Sequence, residues 1–144
     1  MARAIDVADY ILQTLGELTA MKLQKLCYYG QAWSLVWDEK PLFPTTIQAW
    51  ANGPVSPELY SLHRGEFRIG PGFFDGDPNA LTESEKATLD AVIDHYGHLS
   101  AVQLSEMTHR ERPWLEARGS TPPGERSDAE ITQSAMAEYY SSLV

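Results

Sequence analysis

The sequence is poor in cysteine, in long apolar runs and in basic residues, and each shortage excludes a class of protein. Cys27 is the single cysteine, so the chain cannot form an internal disulfide. No apolar run approaches the roughly 18 residues that are needed to span a bilayer. Asp6 and Asp9 stand where a signal peptide would be apolar. These features predict a cytoplasmic protein that has no membrane-spanning segment.

The shortage of basic residues limits the possible partners. Eleven Lys and Arg stand against twenty Asp and Glu, which gives a formal net charge of -9. Such a surplus repels nucleic acid phosphates unless the basic residues cluster strongly, and the clusters in this chain are small. Direct binding of nucleic acid is therefore not expected. An acidic surface suits a basic protein partner, which it attracts over long distances.

Apolar and aromatic residues, in contrast, are plentiful. The chain has 144 residues, of which 43% are hydrophobic, and it contains four Trp and seven Tyr. This length fits one domain with a core of its own, and large aromatic side chains supply much of the surface that cores and interfaces bury. We therefore expect a single compact domain over residues 1–144.

Hydrophobic periodicity and capping signals predict a mainly α fold of five or six helices, with one or two short strands as a minor β part. The predicted helices cover residues 4–15, 20–37, 57–63, 83–96, 101–107 and 128–142. The last of these is placed by Ser127 and Glu130, which have the spacing of a capping box. Pro113 and Trp114 are interpreted as a short helix start and a core anchor before any role in an interface.

The helix predicted over residues 20–37 is apolar on almost every side. Only Gln24, Gln31 and Ser34 form a narrow polar stripe in its later turns, so this helix is expected at the centre of the fold. Gly30 costs such a helix about 1 kcal/mol relative to Ala, which favours close approach by another element. Cys27 lies on the same face and is predicted to be a buried, unreactive thiol.

The segment from Trp50 to Tyr60 restricts its own backbone at nearly every position. A strand-like run over residues 45–51 leads to Asn52 and Gly53, a pair that favours positive φ, and to Pro54, which keeps Gly53 out of the α region. The result is a rigid Asn-Gly-Pro turn.

A short helix is predicted to follow this turn at once. Ser56 and Pro57 are typical of an N-cap and a first helical residue. Two interpretations remain open for the whole segment, from Trp50 to Tyr60. It is either a well-made strand-turn-helix connection or a preformed surface feature that a partner recognises.

The stretch over residues 65–80 also has two possible roles. It contains four glycines and two prolines but also Phe67, Ile69, Phe73 and Phe74, which a polar linker would lack. Long irregular loops in compact domains are uncommon and often functional. The aromatic side chains either fold back onto the core or are presented to a partner.

The sequence contains no convincing catalytic or metal-binding motif. Asp75 and Asp77 fit the start of an EF-hand calcium loop, but Ala80 replaces the required Gly and Lys86 replaces the closing Glu. No P-loop or nucleophile elbow is present, and no cofactor site is predicted. One alternative is a metal-dependent hydrolase that uses His95 and His98, although histidines at a helix C-terminus more simply favour the helix dipole.

The residues described so far resemble the SocA-like Panacea antitoxin domain, a family often found in phage-associated proteins. The motifs are Lys-Leu-Gln-Lys-Leu-Cys-Tyr-Tyr over residues 22–29, Asn-Gly-Pro-Val-Ser-Pro-Glu-Leu-Tyr over residues 52–60, and the later Pro113 with Trp114. The resemblance extends over about residues 5–142. Cys27 and Gly30 stand where the family often has Leu or Ala, a difference that concerns packing.

The resemblance implies a non-enzymatic antitoxin that binds and neutralises a cognate protein toxin through a protein-protein interface. One member of the family acts as a proteolytic adaptor that delivers its toxin to the protease ClpXP, so an adaptor with a second surface for the ClpX unfoldase is an alternative. For this chain we expect the partner to be bound around the rigid turn and the aromatic and basic residues that follow it. The expected partner-binding residues are Trp50, Asn52, Gly53, Pro54, Tyr60, His63, Arg64 and Phe67.

Overall fold

The computed structural model describes all 144 residues and contains seven α-helices, five short strands and one turn of 3₁₀ helix. The helices are α1 Ala4–Leu15, α2 Ala20–Trp37, α3 Pro57–His63, α4 Glu83–Tyr96, α5 Ala101–His109, α6 Arg112–Arg118 and α7 Gln133–Ser141. The strands are β1 Leu18–Thr19, β2 Ile47–Trp50, β3 Gly53–Val55, β4 Arg68–Ile69 and β5 Glu130–Ile131. The mainly α fold class is confirmed.

The strands form two small antiparallel sheets, and most of them were not predicted. β1 pairs with β4, and a second sheet has the order β3-β2-β5. β1, β4 and β5 have two residues each, which is too short for an alternating pattern to appear in the sequence. These strands form only because they pair with segments far away in the sequence. The predicted number of strands, one or two, was therefore too low.

Helix α2 lies at the centre of the fold, as predicted. Every residue from Leu23 to Ser34 is buried, and α1, α4, α5 and α7 all pack against this helix. A Cβ atom added at Gly30 would lie 2.8 Å from Leu89 Cδ2 of α4, so the expected close approach is present. Cys27 is fully buried, and burial raises the pKa of its thiol to about 12, which makes it unreactive.

Most helix ends follow the signals in the sequence. The Thr19 hydroxyl accepts a hydrogen bond from the Lys22 amide at 3.2 Å and caps α2. Thr82 and Glu85 form the predicted capping box at the start of α4. Pro113 is the second residue of α6, and Trp114 is only 5% exposed, so the interpretation of this pair as a helix start and a core anchor is confirmed.

The last helix begins later than the sequence indicated. Ser127 does not cap a helix, because Glu130 pairs with Gln48 of β2 as part of β5. The true N-cap is Thr132, whose hydroxyl accepts a hydrogen bond from the Ala135 amide at 3.1 Å. The spacing of Ser127 and Glu130 matches that of a capping box only by coincidence. The predicted helix over residues 128–142 therefore wrongly included residues 128–132.

The stretch over residues 65–80 both folds back and presents aromatic groups. Ile69 and Phe74 are buried in the core, whereas the Phe67 side chain is 77% exposed and Phe73 is 42% exposed. No helix in the structure combines the length and the apolar character that crossing a membrane requires.

Candidate functional site

The backbone from Ala49 to Ser56, here called the anchored segment, is held by side chains rather than by a wide sheet. Two of them come from α2. The Gln24 side chain accepts a hydrogen bond from the Ser56 amide at 2.8 Å and donates to the Ser56 carbonyl at 3.2 Å. Lys25 Nζ donates to the Pro54 carbonyl at 3.0 Å. Buried backbone groups need such partners, so α2 fixes the outgoing half of the turn from inside.

The incoming half of the anchored segment is held by α5 and α6. Ser105 Oγ donates to the Asn52 carbonyl at 2.6 Å, and Trp114 Nε1 donates to the Trp50 carbonyl at 2.9 Å. Arg118 Nη1 donates to the Ala49 carbonyl at 3.0 Å. Side chains from three helices, α2, α5 and α6, therefore hold one short stretch of backbone in a single shape.

Gly53 is the residue that makes this shape possible. Its φ is +120°, and a Cβ atom added there would lie 2.5 Å from Lys25 Cε and 2.9 Å from Thr108 Oγ1. The expectation that Asn52 shares the positive φ was wrong, since the glycine alone adopts it in this turn. Both the backbone angle and the space therefore require glycine.

A groove of about 960 Å³ runs alongside the anchored segment. The start of α2, the β2–β3 turn, the end of α3 and the loop before β5 form its walls. We call it the Trp50 groove. The residues that line it include Gln24, Lys25, Trp50, Tyr60, Arg64 and Arg126.

Aromatic rings form a continuous row from the groove to the loop over residues 65–80. The ring centroids of Trp50 and Tyr60 are 4.8 Å apart in an edge arrangement, and Tyr60 contacts His63 in the same way at 5.4 Å. His63 in turn lies 6.4 Å from Phe74. Trp50 is half-buried and Tyr60 is exposed. The row gives the groove a rigid apolar wall that a partner can contact.

His63 has a different role from Trp50 and Tyr60, its neighbours in the aromatic row. Its side chain is buried, with 5% exposed, and its Nε2 accepts a hydrogen bond of 3.0 Å from the Gln24 amide. Burial lowers the pKa of His63, which agrees with a neutral ring that accepts at this nitrogen. We therefore assign His63 to the support of the groove wall rather than to an exposed contact.

The structure brings most of the predicted residues to one place. The groove is lined by Trp50, Asn52, Tyr60, His63 and Arg64. Gly53 and Pro54 are buried behind it and build the turn, and Phe67 lies outside the groove with its ring exposed. Their role in partner binding stays a prediction.

Sequence reasoning missed the contribution of Gln24, Lys25 and Arg126 to this site. Gln24 and Lys25 are 3% and 1% exposed although both are polar. The available signal was their position within an otherwise apolar helix, where a buried polar side chain needs a specific partner. Arg126 was missed because the last helix was predicted to begin too early, at residue 128 instead of Gln133.

The buried Lys25 predicts an unusual pH dependence of stability. Burial lowers its pKa to about 7, whereas the unfolded value is near 10.5. Between these values the unfolded chain binds a proton that the folded protein does not bind, so stability rises with pH. From pH 7.5 to pH 8.5 we expect the free energy of unfolding to increase by about 1 kcal/mol. Urea denaturation at the two pH values measures the difference.

A pair of lysine variants provides the control for this prediction. Lys25→Met should abolish the increase because the titrating group is gone. Lys22→Met should retain it, because Lys22 lies in the same helix but is only partly buried and donates to the Gly97 carbonyl at 2.6 Å. The assignment to Lys25 is wrong if both variants keep the same slope as the wild type.

The proposed histidine metal site lacks the groups that it needs. His95 packs edge-on against Tyr96 at 4.6 Å, and no three His, Cys, Asp or Glu side chains are grouped so that they could hold a metal ion. The hydrolase alternative required a third ligand beside His95 and His98, and the fold supplies none.

Comparison with protein families gives a match to the description "Antitoxin SocA-like, Panacea domain" over residues 23–115. The chain belongs to this family. The matched region starts in α2 and ends within α6, so it contains the anchored segment and four of the five side chains that hold it, while Arg118 lies beyond its end. Comparisons with curated proteins and with solved structures gave no significant match. The Panacea domain thus supplies the frame of the groove, while α1, β5 and α7 lie outside the matched region.

Proposed function

We propose that this Panacea protein is a non-enzymatic antitoxin that neutralises a cognate protein toxin by binding it at the Trp50 groove. Membership of the antitoxin family supports the functional class. The observation that carries the choice of surface is the anchored segment, whose backbone is fixed by five side chains from three helices. A surface that is already ordered loses little entropy when a partner binds.

The groove also has the composition of a binding surface. Trp50 and Tyr60 present large apolar rings, and Arg64 stands beside them at the end of α3. Trp, Tyr and Arg are the residue types in which binding energy is most often concentrated. A fold alone does not name a function, and these side chains supply the local reason for the proposal.

Co-expression with the product of the neighbouring gene tests the proposal. If that product is toxic, wild-type protein should restore growth, and a Trp50→Ala, Tyr60→Ala double variant should fail to do so. We expect the double variant to bind at least about 30-fold more weakly, because an interface hot spot contributes 2 kcal/mol or more. Calorimetry on the purified pair measures this loss.

Trp37→Ala is the matched control for the aromatic variants. Trp37 is 48% exposed and stacks on Trp33 at the far end of α2, so its removal also deletes a partly exposed indole. It should leave rescue and affinity unchanged. Full rescue by the double variant, with a normal thermal unfolding curve, would contradict the assignment of the groove.

Direct blocking and delivery to a protease are distinguished by the lifetime of the toxin. Occupation of a toxin surface by a preformed groove predicts neutralisation without degradation. The half-life of the toxin should then be the same in strains with and without ClpXP. A toxin that is stabilised, and no longer neutralised, in the strain without ClpXP would instead identify the protein as an adaptor.

A further inference from the structure

Arg118, the last residue of α6, is the only arginine that the fold buries, with 5% of its surface exposed. None of the ion pairs in the structure includes it. Because a guanidinium stays protonated at any ordinary pH, this is a buried cation without a carboxylate partner. A buried charge is costly unless its surroundings compensate it, so the groups around Arg118 have to do so.

Three backbone carbonyls and one aromatic face supply this compensation. Nη1 of Arg118 donates to the Ala49 carbonyl at 3.0 Å, and Nη2 donates to the carbonyls of Pro122 and Glu125 at 3.0 and 2.6 Å. The guanidinium carbon also lies 4.8 Å from the centre of the Trp114 ring. One side chain therefore ties together two segments that are far apart in the sequence.

The segment that Nη2 holds is the loop over residues 119–129, between α6 and β5. From residue 122 to residue 128, no other hydrogen bond reaches this loop from outside, since the Glu125 amide bonds back to the Pro122 carbonyl. Most of the loop is exposed. A segment with so few contacts opens easily, so the two bonds from Arg118 decide where the loop lies.

This loop forms one wall of the Trp50 groove. Residues 126–128 line the groove and directly follow the Glu125 carbonyl that Arg118 binds. The other segment that Arg118 holds is β2, where Ala49 precedes Trp50. Arg118 does not line the groove itself. Its guanidinium therefore joins the loop wall to the strand that carries the aromatic wall.

We propose, building on the proposed function, that Arg118 is a positioning residue that fixes the loop wall of the Trp50 groove, residues 126–128, at a set distance from β2. A partner then meets two walls that are already in place, so less entropy is lost on binding than with a loose wall. Lysine cannot replace this arginine, because its donors share one nitrogen, whereas Arg118 uses two nitrogens to reach separate segments.

The distance between two spin labels, measured by electron paramagnetic resonance in the free protein, tests this role without the partner. Labels at Ser61→Cys in α3 and Glu125→Cys on the loop occupy exposed positions, and the buried Cys27 stays unlabelled. Arg118 should give one narrow distance between the labels. Arg118→Lys should lose this single distance and give a broad distribution, and an unchanged narrow distance in the folded variant would overturn the inference.

Arg112→Lys is the matched control for this substitution. Arg112 begins the same helix, and its guanidinium carbon lies 5.3 Å from the centre of the Tyr139 ring. It is exposed and holds no carbonyl of the loop. Its replacement should therefore keep the narrow distance, so that broadening in Arg118→Lys reports the loss of the contacts with the loop.

Gly124→Val tests the same contact from the side of the loop and decides the matter if Arg118→Lys does not fold. Gly124 has a φ of +86°, and nothing lies within 4 Å of the position that a Cβ atom would occupy. A β-branched residue is strained at such an angle, so the substitution should move the adjoining Glu125 carbonyl away from Arg118 and leave the core intact. The distribution should broaden again, and an unchanged distance would refute the inference.

Partner binding separates this inference from the proposed function. Arg118→Lys should bind the purified partner at least about 10-fold more weakly, because binding then has to order the loop wall. If the neighbouring gene product is not toxic but the wall loosens in Arg118→Lys, the positioning role holds and the antitoxin role fails. If a variant with a loose wall binds and neutralises the toxin as well as the wild type, the antitoxin role holds and the role of Arg118 in binding is refuted.

Discussion

Gly53→Ala should destabilise the protein by about 2 to 6 kcal/mol and abolish binding of the partner. The φ of +120° strains any residue with a Cβ by about 1 to 3 kcal/mol. The new methyl group would also overlap Lys25 and Thr108, and overpacking of this kind costs about 1 to 3 kcal/mol more. Lys25 would have to move away from the Pro54 carbonyl, which frees the turn that frames the groove. Denaturant unfolding and calorimetry measure the two effects.

Gly65→Ala is the matched control for this substitution. Gly65 also has a positive φ, of +91°, but nothing lies within 4 Å of the position that a Cβ atom would occupy. Its replacement carries the backbone strain alone, so it should be less harmful than Gly53→Ala by about 1 to 3 kcal/mol. Equal losses for the two variants would show that the contact of Gly53 with Lys25 is unimportant.

Gln24→Leu should cost about 1.5 to 4.5 kcal/mol of stability and should weaken partner binding strongly. The substitution leaves the buried Ser56 amide without a partner, at a cost of about 1 to 3 kcal/mol. The Ser56 carbonyl loses one of its two hydrogen bonds and keeps that from the Tyr60 amide, a loss of about 0.5 to 1.5 kcal/mol. The substitution also releases the ring of His63, which Gln24 holds against the groove wall. Thermal unfolding gives the stability, and titration of the folded variant with the partner gives the affinity.

Gln31→Leu separates the loss of stability from the loss of binding. Gln31 is buried in the same helix and makes the same kind of contacts, accepting from the Leu42 amide at 2.7 Å and donating to the Phe43 carbonyl at 2.9 Å. Its replacement should reduce stability to a similar extent but leave the affinity of the folded protein intact, because it does not line the Trp50 groove. Equal losses of affinity would indicate that stability alone governs binding.

Much of the helical framework could be predicted from the sequence because its signals are local. Each of these signals involves at most four consecutive residues. Gly16 ends α1, Thr19 caps α2, and Ser56 with Pro57 starts α3. The strands could not be predicted with the same success. β5 exists because Glu130 and Ile131 find β2 more than 80 residues earlier in the chain, a contact that no local pattern reports.

The candidate site could be predicted only in part for a related reason. The rigid turn and its aromatic neighbours are visible in the sequence because proline, glycine and Trp restrict or fill space wherever they occur. Gln24 and Lys25 are unusual as polar residues in an otherwise apolar helix, but only the packed structure shows that they face the anchored segment. Arg126 reaches the groove from a loop whose course depends on β5.

Hydrogen exchange of the backbone amides, measured with and without the purified partner, tests the groove most directly. Binding in the Trp50 groove predicts slower exchange over residues 60–66 and 126–128, which are largely exposed in the free protein. Exchange in α4, on a different side of α2, should not change. Protection confined to α4 or α7, with no change around the groove, would contradict the proposed binding surface.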